Sequence, residues 1–181
     1  MRRLFSKQKI DVDERHQCLS CLEKLWKIQS FQKKESDLYD NAVIKFTNSS
    51  VADEQVIQEM YKVTNRLMQS INESIERVHS ISPIPRAVFP AWHAWELRYS
   101  DYIAWATAQA EMAKALLSNR DDADDKLKLL NKLTSYRDKS LHKAIDESMK
   151  LLKALNLNDD EHARLFQIAK EAENETLQSD E

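Results

Sequence analysis

The chain carries a cluster of potential metal ligands near its start, His16, Cys18 and Cys21, in the stretch "HQCLSC". Imidazole nitrogen and thiolate sulfur are ligands that zinc prefers, but a single Cys-x-x-Cys pair lacks the second pair of most structural sites. The fourth ligand would have to be His79 or His162. On a helix the same two thiols could instead form a redox pair. The sequence favours a third interpretation, in which Cys18 is a small core residue and Cys21 an ordinary thiol.

Two further spacings, Glu76 to His79 and His93 to Glu96, resemble the Glu-x-x-His pairs of di-metal helical bundles. Metal ligands in such bundles must project inward. At 100° per residue, Glu76 lies about 160° from Val78, and His93 lies opposite the aromatic side of its own helix. We therefore expect both to face water, and we predict neither a di-metal centre nor any other cofactor. No Ser/His/Asp or Cys/His set stands out, so an enzyme is not predicted.

The segment 83–117, "PIPRAVFPAWHAWELRYSDYIAWATAQAEMAKALL", holds three of the four tryptophans. On a helical wheel it is apolar over most of its circumference, which is typical of a central helix covered by several neighbours. Glu96, Arg98 and Asp101 interrupt the segment, and charges at a bilayer centre are costly, so a membrane span is not predicted. The aromatic density predicts the main core helix.

Arg98 is the unusual residue of this segment, because it lies close to the aromatic stripe. An arginine set among tryptophan and tyrosine could bind a small molecule that bears a carboxylate or phosphate. The candidate ligand-binding residues are Arg98, Trp95, Tyr99, Tyr102, Trp105 and Gln109. The sequence favours the alternative that Arg98 snorkels or pairs internally with Asp101, three residues further along the helix.

Composition excludes several classes of protein. The chain has 181 residues and no glycine, whereas average usage would give roughly 13. Without glycine there is no dinucleotide fingerprint, phosphate-binding P-loop or nucleophile elbow. The net charge of −3 does not indicate a nucleic-acid-binding domain. The two cysteines do not form a disulfide framework.

The N-terminal segment "MRRLFSKQKI" is basic but has no apolar core, so it is not a secretory signal. We expect residues 1–10 to be flexible, residues 11–178 to form one domain, and the protein to be cytoplasmic. The mixture of arginine, lysine, leucine and phenylalanine in this segment leaves open a peripheral membrane attachment, although one short segment is a weak anchor.

Hydrophobic periodicity predicts an all-α fold, an elongated up-and-down antiparallel bundle of four long helices and one shorter C-terminal helix. The first expected helix spans about 13–46, the second runs from the cap at Ser50 and Asp53 to "SISPIP", and the third runs from Pro90 to about 117. The fourth runs from the aspartates at 121–125 to about 155, and the fifth spans about 159–177. Ser50 with Asp53, and Asn158 with Glu161, resemble N-terminal capping boxes. The tail "LQSDE" should fray.

The absence of a catalytic signature favours a non-enzymatic protein that acts by protein–protein interaction, as a scaffold or adaptor that binds a partner or itself. The polar stretch "QSFQKKESD" in the first helix, with Phe31, Leu38 and Tyr39 nearby, is predicted to be an exposed arm or a break and a possible partner face. The alternatives are a sensor or carrier of a small anionic ligand at Arg98, and a peripheral membrane-associated bundle.

Overall fold

The computed structural model describes residues 12–48, 54–118 and 123–173, and every structural statement below refers to these residues. They form five helices and no strand, which confirms the all-α bundle. The helices are α1 (Val12–Asn48), α2 (Glu54–His79), α3 (Phe89–Leu117), α4 (Ala123–Leu155) and α5 (Asp159–Glu173). The predictions for residues 1–10, for the Ser50 cap, for Asp121 and for the tail lie outside the described residues.

The helix α3 is central, as its sequence predicts. Pro90 lies at its first turn, where a missing N–H costs nothing. The helix packs extensively against both α2 and α4. Its buried residues are Ala91, Ala94, Trp95, Arg98, Tyr99, Tyr102, Trp105, Ala106, Ala108, Ala110, Ala113 and Ala115. The alanines allow neighbouring helices to approach closely, so they serve packing.

Two indole hydrogen bonds fix the antiparallel register of α3 and α4. Trp95 Nε1 donates to Ser148 Oγ at 2.9 Å, and Trp105 Nε1 donates to Thr134 Oγ1 at 3.0 Å. As residue numbers rise along α3, their partners fall along α4. The turn between α2 and α3 is held in the same way, because Trp92 Nε1 donates to the carbonyl oxygen of Val78 at 2.9 Å.

The first helix is continuous through its polar middle, where an exposed arm or a break was predicted. This prediction is wrong for one face: Ser30, Phe31, Gln32 and Glu35 are all buried. Hydrophobic periodicity does not predict the buried face in the middle of α1, because polar side chains occupy interior positions there. Arg77 of α2 covers the Phe31 ring, with its guanidinium carbon 3.9 Å from the ring centroid.

A short turn at Asn156 separates α4 from α5. Asn156 adopts φ 48°, a left-handed conformation that asparagine tolerates at helix ends. The predicted capping box follows: Glu161 N–H donates to Asn158 Oδ1, and Asn158 N–H donates to Glu161 Oε2, both at 2.9 Å. The fifth helix then packs along α1, with Leu165 and Ala172 buried against it.

None of the five described helices combines the length and the apolar composition that a membrane-spanning segment requires.

Candidate functional site

The candidate ligand-binding residues of α3 lie in the core of the bundle. The side chains of Trp95, Tyr99, Tyr102 and Trp105 are all buried. Their rings pack against one another: the centroids of Trp95 and Tyr99 are 5.9 Å apart, and those of Tyr102 and Trp105 are 5.7 Å apart. Tyr39 of α1 closes the group at 5.1 Å from the Trp105 ring. These aromatic side chains therefore build core, as favoured on sequence grounds.

Arg98 is the exception within this core. Its side chain is only 7% exposed, and its guanidinium carbon lies 4.0 Å above the centroid of the Tyr102 ring. The NH1 group has no hydrogen-bond partner among the described residues. The described residues contain no ion pair between Arg98 and Asp101, the partner that the sequence offered, and Asp101 is only partly buried. Burial lowers the pKa of Arg98, and the nearby positive charge of Arg137 lowers it further.

Further polar atoms without partners are buried on α1, α2 and α3. We call Gln32 and Glu35 of α1, Ser70 of α2, and Arg98 and Tyr99 of α3 the buried polar layer; each side chain is more than nine-tenths buried. Each also has a buried polar atom without a well-formed hydrogen bond in the described structure, although the Ser74 hydroxyl lies close enough to Tyr99 to oppose the rise that burial causes in the pKa of that phenol. Buried polar groups are normally paired, so five such residues need an explanation.

Some side chains in and next to the buried polar layer form hydrogen bonds between helices. Arg66 NH2 donates to Glu35 Oε1 at 2.8 Å, which leaves Glu35 Oε2 without a partner. The Ser36 and Tyr102 hydroxyls are 3.0 Å apart and join α1 to α3. Burial raises the pKa of Tyr99 and keeps its hydroxyl protonated, although the charge of Arg98 opposes this shift. At Gln109 as well, the Oε1 atom is buried without a partner.

Sequence reasoning found Arg98, Tyr99 and Gln109 but missed Gln32, Glu35 and Ser70. The available signal was weak: Gln32 and Glu35 lie one and four residues after Phe31, within a stretch that is polar nearly all round. Helical periodicity ranks positions by apolarity, so a polar residue at an interior position is read as a surface residue.

The two Glu-x-x-His motifs lie at one end of the bundle and do form a contact. The Glu96 carboxylate is within hydrogen-bond distance of both imidazoles: His79 Nε2 lies 2.9 Å from Oε1, and His93 Nδ1 lies 3.0 Å from Oε2. The hydrogen bond with His93, together with that to His79, lowers the pKa of Glu96. His93 and Glu76 are exposed as expected. The described residues contain no group of three histidine, cysteine or acidic side chains arranged for a metal ion.

The structure does not bring His16 together with the two cysteines. Cys18 and Cys21 are buried in the core as free thiols, whereas His16 is exposed and lies about 140–160° away around α1. Cys21 Sγ donates to the carbonyl oxygen of Pro83 at 3.5 Å. Burial raises the pKa of both thiols. The burial of Cys18 agrees with its interpretation as a small core residue, and Cys21, which was interpreted as an ordinary thiol, is buried as well.

The surface of α4 that faces away from α3 is the second candidate site. This helix contacts α1 only sparsely and relies on α3 for its packing. Its sequence holds eight lysines and arginines against five aspartates and glutamates, a net charge of +3 in a chain of net charge −3. Five large apolar residues on it are between 45% and 50% exposed: Leu127, Leu129, Tyr136, Ile145 and Met149. We call this surface the α4 outer face.

Comparisons of the chain with protein-family models, with curated proteins and with solved structures found no significant match.

Proposed function

We propose that the chain is a non-enzymatic helical-bundle protein that acts by binding another protein through the α4 outer face. The observation that carries this proposal is the combination of net positive charge and half-exposed apolar side chains on a helix packed on one side only. Such a helix retains apolar area that the chain does not cover. Burial of that area would contribute about 25 cal/mol per Å² on association, before the costs of binding.

The charge of the α4 outer face indicates an acidic partner. Lys139, Lys143 and Lys153 are exposed and make no ion pair with any described residue. Two copies of this chain that paired α4 against α4 would bring like charges together, which disfavours a symmetric dimer. A partner with acidic residues opposite these lysines and apolar residues at its edges matches the surface. An amphipathic acidic helix has this chemistry.

The layout of the apolar side chains favours a protein over a membrane. At 100° per residue, Leu127, Ile145 and Met149 lie within about 40° of one another, and Leu129 and Tyr136 lie on the opposite flank. Lysines occupy the strip between these flanks. A helix that lies in a bilayer interface needs a continuous apolar face directed at the lipid. Here the outermost strip of α4 is basic, and the apolar side chains lie on its two flanks. They are therefore placed to contact the edges of a partner protein rather than lipid.

The packed aromatic core also supports this function. The indole N–H groups of Trp95 and Trp105 are satisfied by α4 hydroxyls, and the aromatic rings fill the space between the helices. The side chains that could have lined a large ligand pocket are thus used for packing. The proposal includes a cytoplasmic location, with which two unpaired cysteines agree.

The test compares two charge-reversal variants of equal charge change. The first carries Lys139→Glu, Lys143→Glu and Lys153→Glu on α4. The matched control carries Lys24→Glu, Lys34→Glu and Lys62→Glu on α1 and α2. Proteins captured by the wild type from the cells that produce it are identified, purified and titrated against all three forms. We expect the α4 variant to bind at least about tenfold more weakly and the control to change little.

Ionic strength gives a second readout, because an electrostatic contact weakens as sodium chloride rises from about 50 to 300 mM. Equal losses in both variants, or no purified protein that binds the wild type, would overturn the proposal. Binding to vesicles with about 30% phosphatidylserine that only the α4 variant loses would also overturn it, in favour of membrane attachment.

A further inference from the structure

We infer that Arg98 forms an interior binding site for a small oxyanion, a carboxylate or a phosphate group of a free small molecule. This site is separate from the α4 outer face and does not depend on the protein partner proposed above. The inference rests on the missing carboxylate partner of Arg98, on the unpartnered NH1 group of its guanidinium and on the second guanidinium, that of Arg137, which acts on it.

The first step is the charge balance. A buried charge is stable only when it is paired and hydrogen-bonded. Arg98 is 93% buried, yet it forms no ion pair with any carboxylate of the described residues. Asp138 is the acidic residue whose charge acts on Arg98, but its Oδ1 already accepts hydrogen bonds from Arg137, at 3.0 Å from Nε and 2.9 Å from NH2. Glu35 is the one carboxylate buried among the described residues, and it pairs with Arg66 at 2.8 Å. Arg98 therefore has no carboxylate partner within the described part of the chain.

The second step is the geometry of the guanidinium. Its face stacks on the Tyr102 ring at 4.0 Å, and this contact uses the face of the group and leaves the N–H edges available. The edges are the part of arginine that recognises carboxylate or phosphate through two parallel hydrogen bonds. NH1 has no partner among the described residues, so this nitrogen is available for such a contact.

The third step is the surrounding chemistry. A second guanidinium, that of Arg137, lies 4.3 Å from the centroid of the Trp105 ring and acts electrostatically on Arg98. Two neighbouring cations favour a negatively charged ligand and repel a positively charged one.

The packing sets the size and the route of the ligand. Because the rings of Tyr102 and Trp105 are in contact, the site suits a compact ligand. Arg137 and Asp138 of α4 are partly exposed, with side chains 26% and 49% accessible, and α1 and α4 scarcely touch. The inference therefore places the route from solvent to Arg98 along the seam between α1 and α4.

The experiment measures thermal unfolding of the purified full chain with sodium acetate, sodium benzoate or inorganic phosphate, each against sodium chloride of equal ionic strength. The variants are Arg98→Met, which keeps the apolar stem, Arg98→Lys, which keeps the charge, and Arg86→Met as an exposed control. At an anion concentration of 100 Kd, the wild type and the Arg86 control should gain about 5–10 °C in Tm. Arg98→Met should gain nothing, and Arg98→Lys should bind at least about tenfold more weakly.

The three probes identify the preferred chemistry: a response to acetate or benzoate alone assigns a carboxylate, and a response to phosphate alone assigns a phosphate. Equal gains in the wild type and both Arg98 variants would show a general salt effect and overturn the inference. The absence of any gain with all three probes would overturn it as well. If Arg98→Met does not fold, Arg98→Lys is compared with the wild type, and equal gains in Tm for these two proteins would overturn the inference. The α4 lysine variants should respond like the wild type, which separates this result from the proposed function.

Discussion

Arg15 of α1 and Glu161 of α5 form a two-point ion pair, with NH1 2.6 Å from Oε1 and NH2 2.7 Å from Oε2. The same carboxylate accepts the N–H of Asn158 and so completes the cap of α5. Glu161 therefore ends the α4–α5 turn and attaches α5 to α1 with a single side chain. Two further ion pairs, Arg164 with Glu23 and Lys33 with Glu173, continue the contact along the parallel helices.

This arrangement predicts an acid-sensitive contact. The hydrogen bond from Arg15, followed by that from Asn158, lowers the pKa of Glu161 to about 2 from an ordinary 4.5. A carboxyl group with a lowered pKa stabilises the fold above its unfolded pKa, and this stabilisation is lost as pH falls through the folded pKa. The Tm difference between the wild type and Glu161→Gln should be constant at pH 5–7 and should vanish between pH 4.5 and about 2.

The control is Glu76→Gln, a change at an exposed glutamate of α2. Its Tm difference from the wild type should stay near zero across the whole pH range. A Glu161→Gln difference that does not change below pH 4.5 would contradict this account of the α1–α5 contact.

The alanine stripe of α3 predicts a second effect. Ala106 is fully buried where neighbouring helices approach, whereas Ala104 is exposed on the same helix. Alanine and leucine have similar helix propensities, so the two substitutions differ mainly in packing. Ala106→Leu should lower the free energy of unfolding by about 1–3 kcal/mol, and Ala104→Leu should change it little. Urea unfolding measures both, and equal effects would show that the alanines leave spare volume.

The cysteines predict a third effect. Because burial raises the pKa of Cys18 and Cys21, little thiolate forms near neutral pH and reagents cannot reach it. A thiol reagent such as Ellman's reagent should react with the native protein at least about a hundredfold more slowly than with the protein in denaturant. A fast native reaction, or a disulfide between the two residues under mild oxidation, would instead support a redox pair.

The fold could be predicted from sequence because its main signals are local. Pro90 marks the start of α3, Asn158 and Glu161 mark the start of α5, and the absence of glycine favours helices throughout. The aromatic segment was recognised as core for the same reason, since its apolar circumference exceeds what an exposed helix carries.

The buried polar layer could be predicted only in part, because it depends on contacts between helices. Arg98 was visible as a charge among aromatic residues. Its lack of an ion pair was not visible, because Asp101 has the spacing of a partner along the helix and only the folded structure shows that NH1 of Arg98 stays unpaired. Glu35 has the composition of a surface residue, but it is buried in the folded chain and pairs with Arg66 of α2. The contact of Glu96 with His79 and His93 likewise required the relative position of two helices.

The most direct test of the central claim, that another protein binds the α4 outer face, is site-specific photo-cross-linking in the cells that produce the protein. A photoreactive phenylalanine analogue replaces Ser135 on α4 or, as the matched control, Asn65 on α2, both exposed positions. We predict a discrete protein adduct from position 135 that disappears when Lys139→Glu and Lys143→Glu are added, and no adduct from position 65. Adducts of equal yield at both positions, or none at position 135, would contradict the claim.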